Sequence, residues 1–285
     1  MSDRKGEIER ALKEVRDLRQ STFGLEEYVK KVEPLLTVAA CDLAPQYVGV
    51  WGMGGVGKST LLKTLYARAK VQDHFRGVLF IWRTVGQSPD IPAIITLYRS
   101  LSEELCLKPE MNLNVKDYKD KLATKFKERR VFLVLDDVWE KQAFESLDLA
   151  KGEGSVTLMS TRNLPVLERA SPEISQVHMT RLSKENSLRL FCVHAFRSSS
   201  NVPHELKTLA ESMAEECKGL PLALKVIGGA MFGKYLREWA PLLKKLEKSR
   251  MHEGPVEDDL YKFLKARGWY LIITKVMLEQ MLFLS

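Results

Sequence analysis

Cysteine is scarce in this 285-residue chain: Cys41, Cys106, Cys192 and Cys217 are its four, with no C-x-x-C pair and no histidine at zinc-binding spacing. Neither a disulfide framework nor a zinc site is supported, and a reducing compartment, the cytoplasm or the nucleus, is expected. Glycine (17) and proline (11) are too dispersed for a collagen-like, mucin-like or other low-complexity block. No internal repeat is found. A long uninterrupted apolar run is also missing. The stretch from Trp269 to Leu284 comes nearest, but Lys275 and Glu279 break it below the ~20 residues that a spanning helix needs. The amino terminus is too polar for a signal peptide, and position 2 is Ser2 rather than the glycine that myristoylation requires. Neither sign of charge dominates strongly: Lys+Arg 44 against Asp+Glu 37 leaves +7, spread along the chain. That balance favours anionic ligands without marking a nucleic-acid surface.

What is present suffices for packed cores. With 45% hydrophobic and 28% charged residues, the chain is long enough for one large domain or two small ones, and disorder is excluded as its main state. Ile8, Leu12, Val15 and Leu18 share one face of a charged amphipathic helix over residues 1–20, shorter than a coiled coil needs. From Gln46 onward, β-branched and aromatic runs alternate with amphipathic segments, which implies a parallel α/β sheet. The expected strands are Tyr47 to Trp51, Val78 to Trp82, Val131 to Leu135, Val156 to Ser160 and Gln176 to Met179. A helix after Lys58 carries Leu61, Leu62, Leu65, Tyr66 and Ala69 as the stripe that covers the sheet.

After Arg181 the strand pattern stops. Ser183 is expected to cap a helix with Leu188, Phe191, Cys192, Ala195 and Phe196 inward, and a second helix, with Leu206, Leu209, Ala210, Met213, Ala214 and Cys217, ends at Gly219. Pro221 can open a third, and Trp239, Leu242, Leu243 and Leu246 mark a fourth. The expected organisation is therefore a charged helix at 1–20, an α/β domain at 21–182, a helical domain at 183–250, and a linker with a divergent tail at 251–285.

Gly52, Met53, Gly54, Gly55, Val56, Gly57, Lys58 and Ser59, followed by Thr60, match G-x-x-x-x-G-K-[ST] in full. Glycines let consecutive backbone N–H groups turn inward around a phosphate, and the following helix adds its positive end. Lys58 is placed to reach the β and γ phosphates, and the Ser59 hydroxyl to ligate Mg2+. The buried-type run from Val131 ends in Asp136 and Asp137. Such acids also end strands as ordinary turn residues. At the carboxyl end of a strand beside the phosphate loop, Asp136 is placed to hold the Mg2+ shell and Asp137 to orient or deprotonate an attacking water. The chain has no N-K-x-D guanine motif and no transporter signature, so adenine nucleotides, ADP or ATP, are expected.

These motifs, in this order, resemble the NB-ARC ATPase domain of plant NLR disease-resistance proteins, within the STAND group of P-loop ATPases, over roughly residues 20–262. Phe23 to Glu26 resembles the family's first short motif near the adenine, Gly52 to Thr60 its P-loop, and His74 to Val85 its next block. Leu133 to Trp139 is similar to the kinase-2 motif, Gly154 to Arg162 to the sensor strand, Arg181 to Phe196 to the following helical block, and Gly219 to Ala223 to GLPL. The resemblance implies a P-loop sheet followed by a small all-helical ARC1 subdomain. It also implies that Arg162 senses the terminal phosphate and that Pro221 packs near the adenine.

The implied function is an ADP/ATP switch in defence, a slow Mg2+-dependent ATPase at most. The alternative is a non-enzymatic adaptor or decoy that pairs with full-length receptors, or self-associates, through the helical domain and the seam from Ile8 to Leu18. Past Leu264 the chain departs from the family, where ARC2, an MHD motif and leucine-rich repeats would follow. Met251-His252-Glu253 lies too early to be that MHD motif. A truncated receptor is therefore expected, without a complete signalling domain ahead of residue 20.

Overall fold

The computed structural model describes residues 2–41, 44–86, 91–105, 114–171, 173–198 and 202–250. Cys106, the His252 motif and the tail from residue 251 lie outside the described residues. Contacts group the chain into two units, the first holding Met1–Leu18, Glu27–Gly52 and Lys58–His178, the second Arg19–Glu26, Met53–Gly57 and the chain from Met179.

The first unit is a parallel sheet covered by helices. In chain order its described elements are α1 (Ser2–Ser21, which runs on into the second unit), α2 (Glu26–Cys41), β1 (Gln46–Trp51), α3 (Lys58–Val71), β2 (Leu79–Gly86), α4 (Ile91–Glu104), α5 (Val115–Lys127), β3 (Val131–Val138), α6 (Lys141–Leu147), β4 (Val156–Thr161), α7 (Leu164–Ala170) and β5 (Ser175–His178). The five strands lie in the order β2-β3-β4-β1-β5, all parallel. β1 thus sits inside the sheet with its successors on both sides, the topological switch that leaves a crevice at the strands' carboxyl ends.

Alternation along the strands divides the core. Phe80 and Phe132 stack at 5.3 Å, with Tyr66 of α3 and Phe75 edge-on to them. Ile81, Leu133 and Leu135 belong to a separate cluster with Tyr98, Leu122, Phe126 and Phe144 from α4, α5 and α6. β3 is buried along almost its whole length, as a strand covered on both faces should be. α2 docks on α3 through Glu33, which receives two hydrogen bonds from Arg68, at 3.0 and 2.9 Å, and one from Gln72.

The structure corrects several expectations. β2 runs on to Gly86 instead of stopping at Trp82, because its later residues pair with β3 as far as Val138. On α1 the packed face runs through half-buried Ile8, buried Ala11 and half-buried Val15, whereas Leu12, expected on that seam, is 39% exposed. Apolar identity at helical spacing does not say which side of a charged helix meets the core.

The second unit contains α8 (Lys184–Phe196), α9 (Lys207–Glu216), α10 (Pro221–Met231) and α11 (Leu236–Arg250). Ser183 caps α8 by accepting a hydrogen bond from the Asn186 N–H. The fully inward leucine of α8 is Leu190, with Leu188 only half-buried. Gly219 has φ +71°, and a Cβ there would lie 2.6 Å from the Leu182 carbonyl oxygen. Only glycine allows this approach, through which the Leu182 N–H donates to the Gly219 carbonyl at 2.9 Å. Trp239 is fully buried against Phe196 and Phe191, and Cys192 and Cys217 are buried thiols outside any disulfide.

Candidate functional site

The turn between β1 and α3 is made of the glycine-rich residues. Gly55 (φ +79°) and Gly57 (φ +107°) occupy conformations that side chains disfavour, and α3 begins at Lys58 with Ser59 and Thr60 in its first turn. Such a turn aims backbone N–H groups and a helix N-terminus at one small region. Met53 to Gly57 group with the second unit. There the Leu222 N–H, one residue past Pro221 at the start of α10, donates to the Gly55 carbonyl at 3.4 Å, and Arg181 contacts the Met53 sulfur at 3.7 Å.

Lys58 is buried, and its Nζ donates to the Gly52 carbonyl at 2.8 Å. Burial is the main cause that lowers its ammonium to about 8, helped by the Arg162 charge and opposed by Asp137 and Asp136. The hydroxyl of Ser59 donates to Asp136 Oδ1 at 3.0 Å. Asp136, buried at the end of β3, also accepts from Ser160 Oγ at 2.6 Å, and the same Ser160 oxygen accepts the Asp137 N–H at 2.9 Å. Asp137 stands in the left-handed region at φ +59°, where β3 and β4 lose their regular register between Leu135 and Val138. Its Oδ1 accepts from Nε of Arg162, just past the end of β4, at 3.3 Å. The Arg162 guanidinium lies over the Trp139 ring, 4.8 Å from its centroid.

Of the residues named from sequence, the first unit brings Gly52, Lys58, Ser59, Asp136, Asp137 and Arg162 to one end of the sheet. Two contributors carry no role of their own in the sequence motifs: Ser160, which ties Asp136 and Asp137 to β4, and Trp139, whose ring lies under the Arg162 guanidinium.

The group fits an anionic ligand with a hard cation. Lys58 and Arg162 supply positive charge, whereas Ser59 and Asp136 offer adjacent oxygens of the kind that Mg2+ takes alongside phosphate. Among the described residues no three His, Cys, Asp or Glu side chains gather to hold a metal. No helix among the described residues is long and apolar enough to cross a membrane.

Comparison with known proteins agrees with this architecture. The chain is 34% identical over 222 residues to the probable disease resistance protein At4g33300 of Arabidopsis thaliana, a match that covers 76% of this chain and 25% of the relative. It is 29% identical over 248 residues to TMV resistance protein N of Nicotiana glutinosa, covering 84% of this chain and 21% of that one. It therefore spans about a quarter of the length of these relatives. Among solved structures, Cdc6p from Pyrobaculum aerophilum shares the fold with a TM-score of 0.54 at 14% identity, over 72% of this chain and 60% of that one. The sequence profile of the NB-ARC domain matches residues 25–201, the larger part of the chain, and the chain belongs to the NB-ARC family.

Proposed function

We propose that this chain is an adenine-nucleotide switch module of a plant immune receptor, which binds ADP or ATP with Mg2+ and hydrolyses ATP slowly at most. The observation that carries the reading is the meeting of Ser59 and Asp136 at 3.0 Å beside buried Lys58, at the mouth of a glycine-built turn. In this reading the N–H groups from Gly52 to Thr60 cradle the phosphates, and Lys58 pairs with the outer ones. Ser59 and Asp136 would hold Mg2+, which when bound neutralises phosphate charge. Asp137 orients a water, and Arg162 distinguishes a terminal phosphate from its absence by one charged contact. Pro221 is assigned to the adenine side, and 183–250 to ARC1. The relatives' names as disease resistance proteins support a role in defence, and the cysteine usage fits the cytoplasm or nucleus.

The first test is to purify the folded chain, identify any nucleotide it releases, and record melting shifts with ADP and with ATP plus Mg2+. Ligand at about 100-fold over Kd should add about 2.7 kcal/mol of stability. A folded sample with no bound nucleotide and no shift would remove the reading.

Lys58 gives it a pH signature. Its ammonium titrates near 8 and phosphate favours the charged form, so ADP affinity should fall as pH rises from about 7.5 to 9.5, by at most about tenfold per unit. Lys58→Arg, charged throughout, should flatten that decline. Calorimetric titrations at fixed ionic strength would read both.

A second reading, an adaptor that acts by pairing with other receptors, is favoured by Phe232, Tyr235 and Leu236, exposed on the second unit. Persistence of receptor pairing after nucleotide binding is lost would favour it.

A further inference from the structure

Trp139 is the one side chain of the site without an assigned task. It follows the fully buried Val138 at the end of β3, yet is itself 38% exposed. Packing against the core does not account for a large indole in such a place. Its face carries the guanidinium of Arg162 at a cation–π distance of 4.8 Å. The hydrogen bond of Arg162 among the described residues runs from Nε to Asp137 Oδ1 at 3.3 Å.

The indole on one side and the carboxylate at Nε therefore restrict the guanidinium at two points and leave its two Nη groups for a ligand. Those groups make no hydrogen bond among the described residues. A guanidinium held in this way presents parallel N–H donors, the fork that phosphate oxygens accept in pairs. An arginine loose in solvent loses rotamer freedom when it meets a ligand, whereas one already held at two points has lost part of it beforehand. Lys58 opens the helix whose Ser59 meets Asp136, and the next residue, Asp137, holds Arg162, so the two cations belong to one cluster where an added phosphate charge gains most.

We propose that Trp139 is a positioning residue, its indole face holding Arg162 so that the site distinguishes a nucleoside triphosphate from a diphosphate. The inference rests on the nucleotide reading above and deepens it.

The test uses the 285-residue chain, titrated calorimetrically with ADP and with adenylyl imidodiphosphate, each with Mg2+, to obtain the ratio of the two affinities. Trp139→Ala should shift that ratio against the triphosphate by about two- to fivefold, the range of an exposed cation–π contact. Trp139→Phe should restore most of the ratio, and Trp139→Ala should change nothing further in a chain that already carries Arg162→Ala. Equal weakening of both nucleotides, or an effect that survives in the Arg162→Ala background, overturns the proposal and leaves the nucleotide reading intact. If the wild-type chain binds neither ligand, the nucleotide reading fails and this proposal fails with it.

Discussion

Replacing Lys58 with alanine is expected to remove nucleotide binding while leaving the ligand-free chain as stable as before, or slightly more so. The two effects separate because the same burial acts on both. In the folded chain Lys58 is desolvated and shares its surroundings with the Arg162 charge, and these outweigh the attraction of Asp137 and Asp136, so its ammonium is already disfavoured although it donates to the Gly52 carbonyl. Its removal relieves that cost. A phosphate brought beside it changes the sign of the account, since a desolvated charge pair that loses one partner typically costs about 2–5 kcal/mol. At about 1.4 kcal/mol per tenfold, affinity should fall roughly thirtyfold to several thousandfold. Differential scanning fluorimetry of both chains would show equal melting without ligand and a shift with ADP in the wild type alone. A shift retained by Lys58→Ala would mean that Lys58 has been given the wrong role. Receptor pairing that outlasts the loss of binding would favour the adaptor reading.

The largest effect on folding is expected at Trp239. It is fully buried, with its ring stacked on Phe196 at 5.4 Å and edge-on to Phe191 at 6.2 Å, and its Nε1 donates to the Lys234 carbonyl at 3.3 Å. Trp239→Ala removes these contacts and opens a cavity too large to collapse, at a cost of about 3–5 kcal/mol. That is a large part of the 5–15 kcal/mol by which a typical domain is stable. Because α11 and α8 belong to the second unit, the loss should appear as earlier exchange of amides in α8, α10 and α11 than in β1, β3 and β4. Trp239→Phe should keep most of the stability. A loss below about 1 kcal/mol in urea denaturation would show that the aromatic cluster is not what holds these helices.

The sequence disclosed what is local. Glycines spaced for a phosphate turn, an apolar strand closed by acids, Ser183 before its helix and Pro221 at the start of another are each readable within ten residues or so. The fold class and family follow from their order. Contacts made across the sheet were not readable. Ser160 meets Asp136 because β3 and β4 lie side by side in the sheet and their register shifts between Leu135 and Val138, a pairing that joins residues 24 positions apart. A serine at the end of a strand carries no mark of that. Ala11 inward with Leu12 outward, and Leu190 buried in place of Leu188, are failures of the same kind. Helical periodicity gives candidate faces, and the surrounding packing chooses among them.

Asp137 shows how narrow the choice at one position becomes. Its φ of +59° is tolerated by asparagine and aspartate far better than by other side-chain-bearing residues, because a short polar group can bond locally. Its Oδ1 faces the Arg162 cation, which asks for negative charge. Asparagine would satisfy the backbone and lose the charge, whereas glutamate would keep the charge and strain the backbone. The replacement that looks gentlest on paper is therefore the one that moves the main chain, and any comparison of variants at this position has to separate shape from charge before it speaks about chemistry.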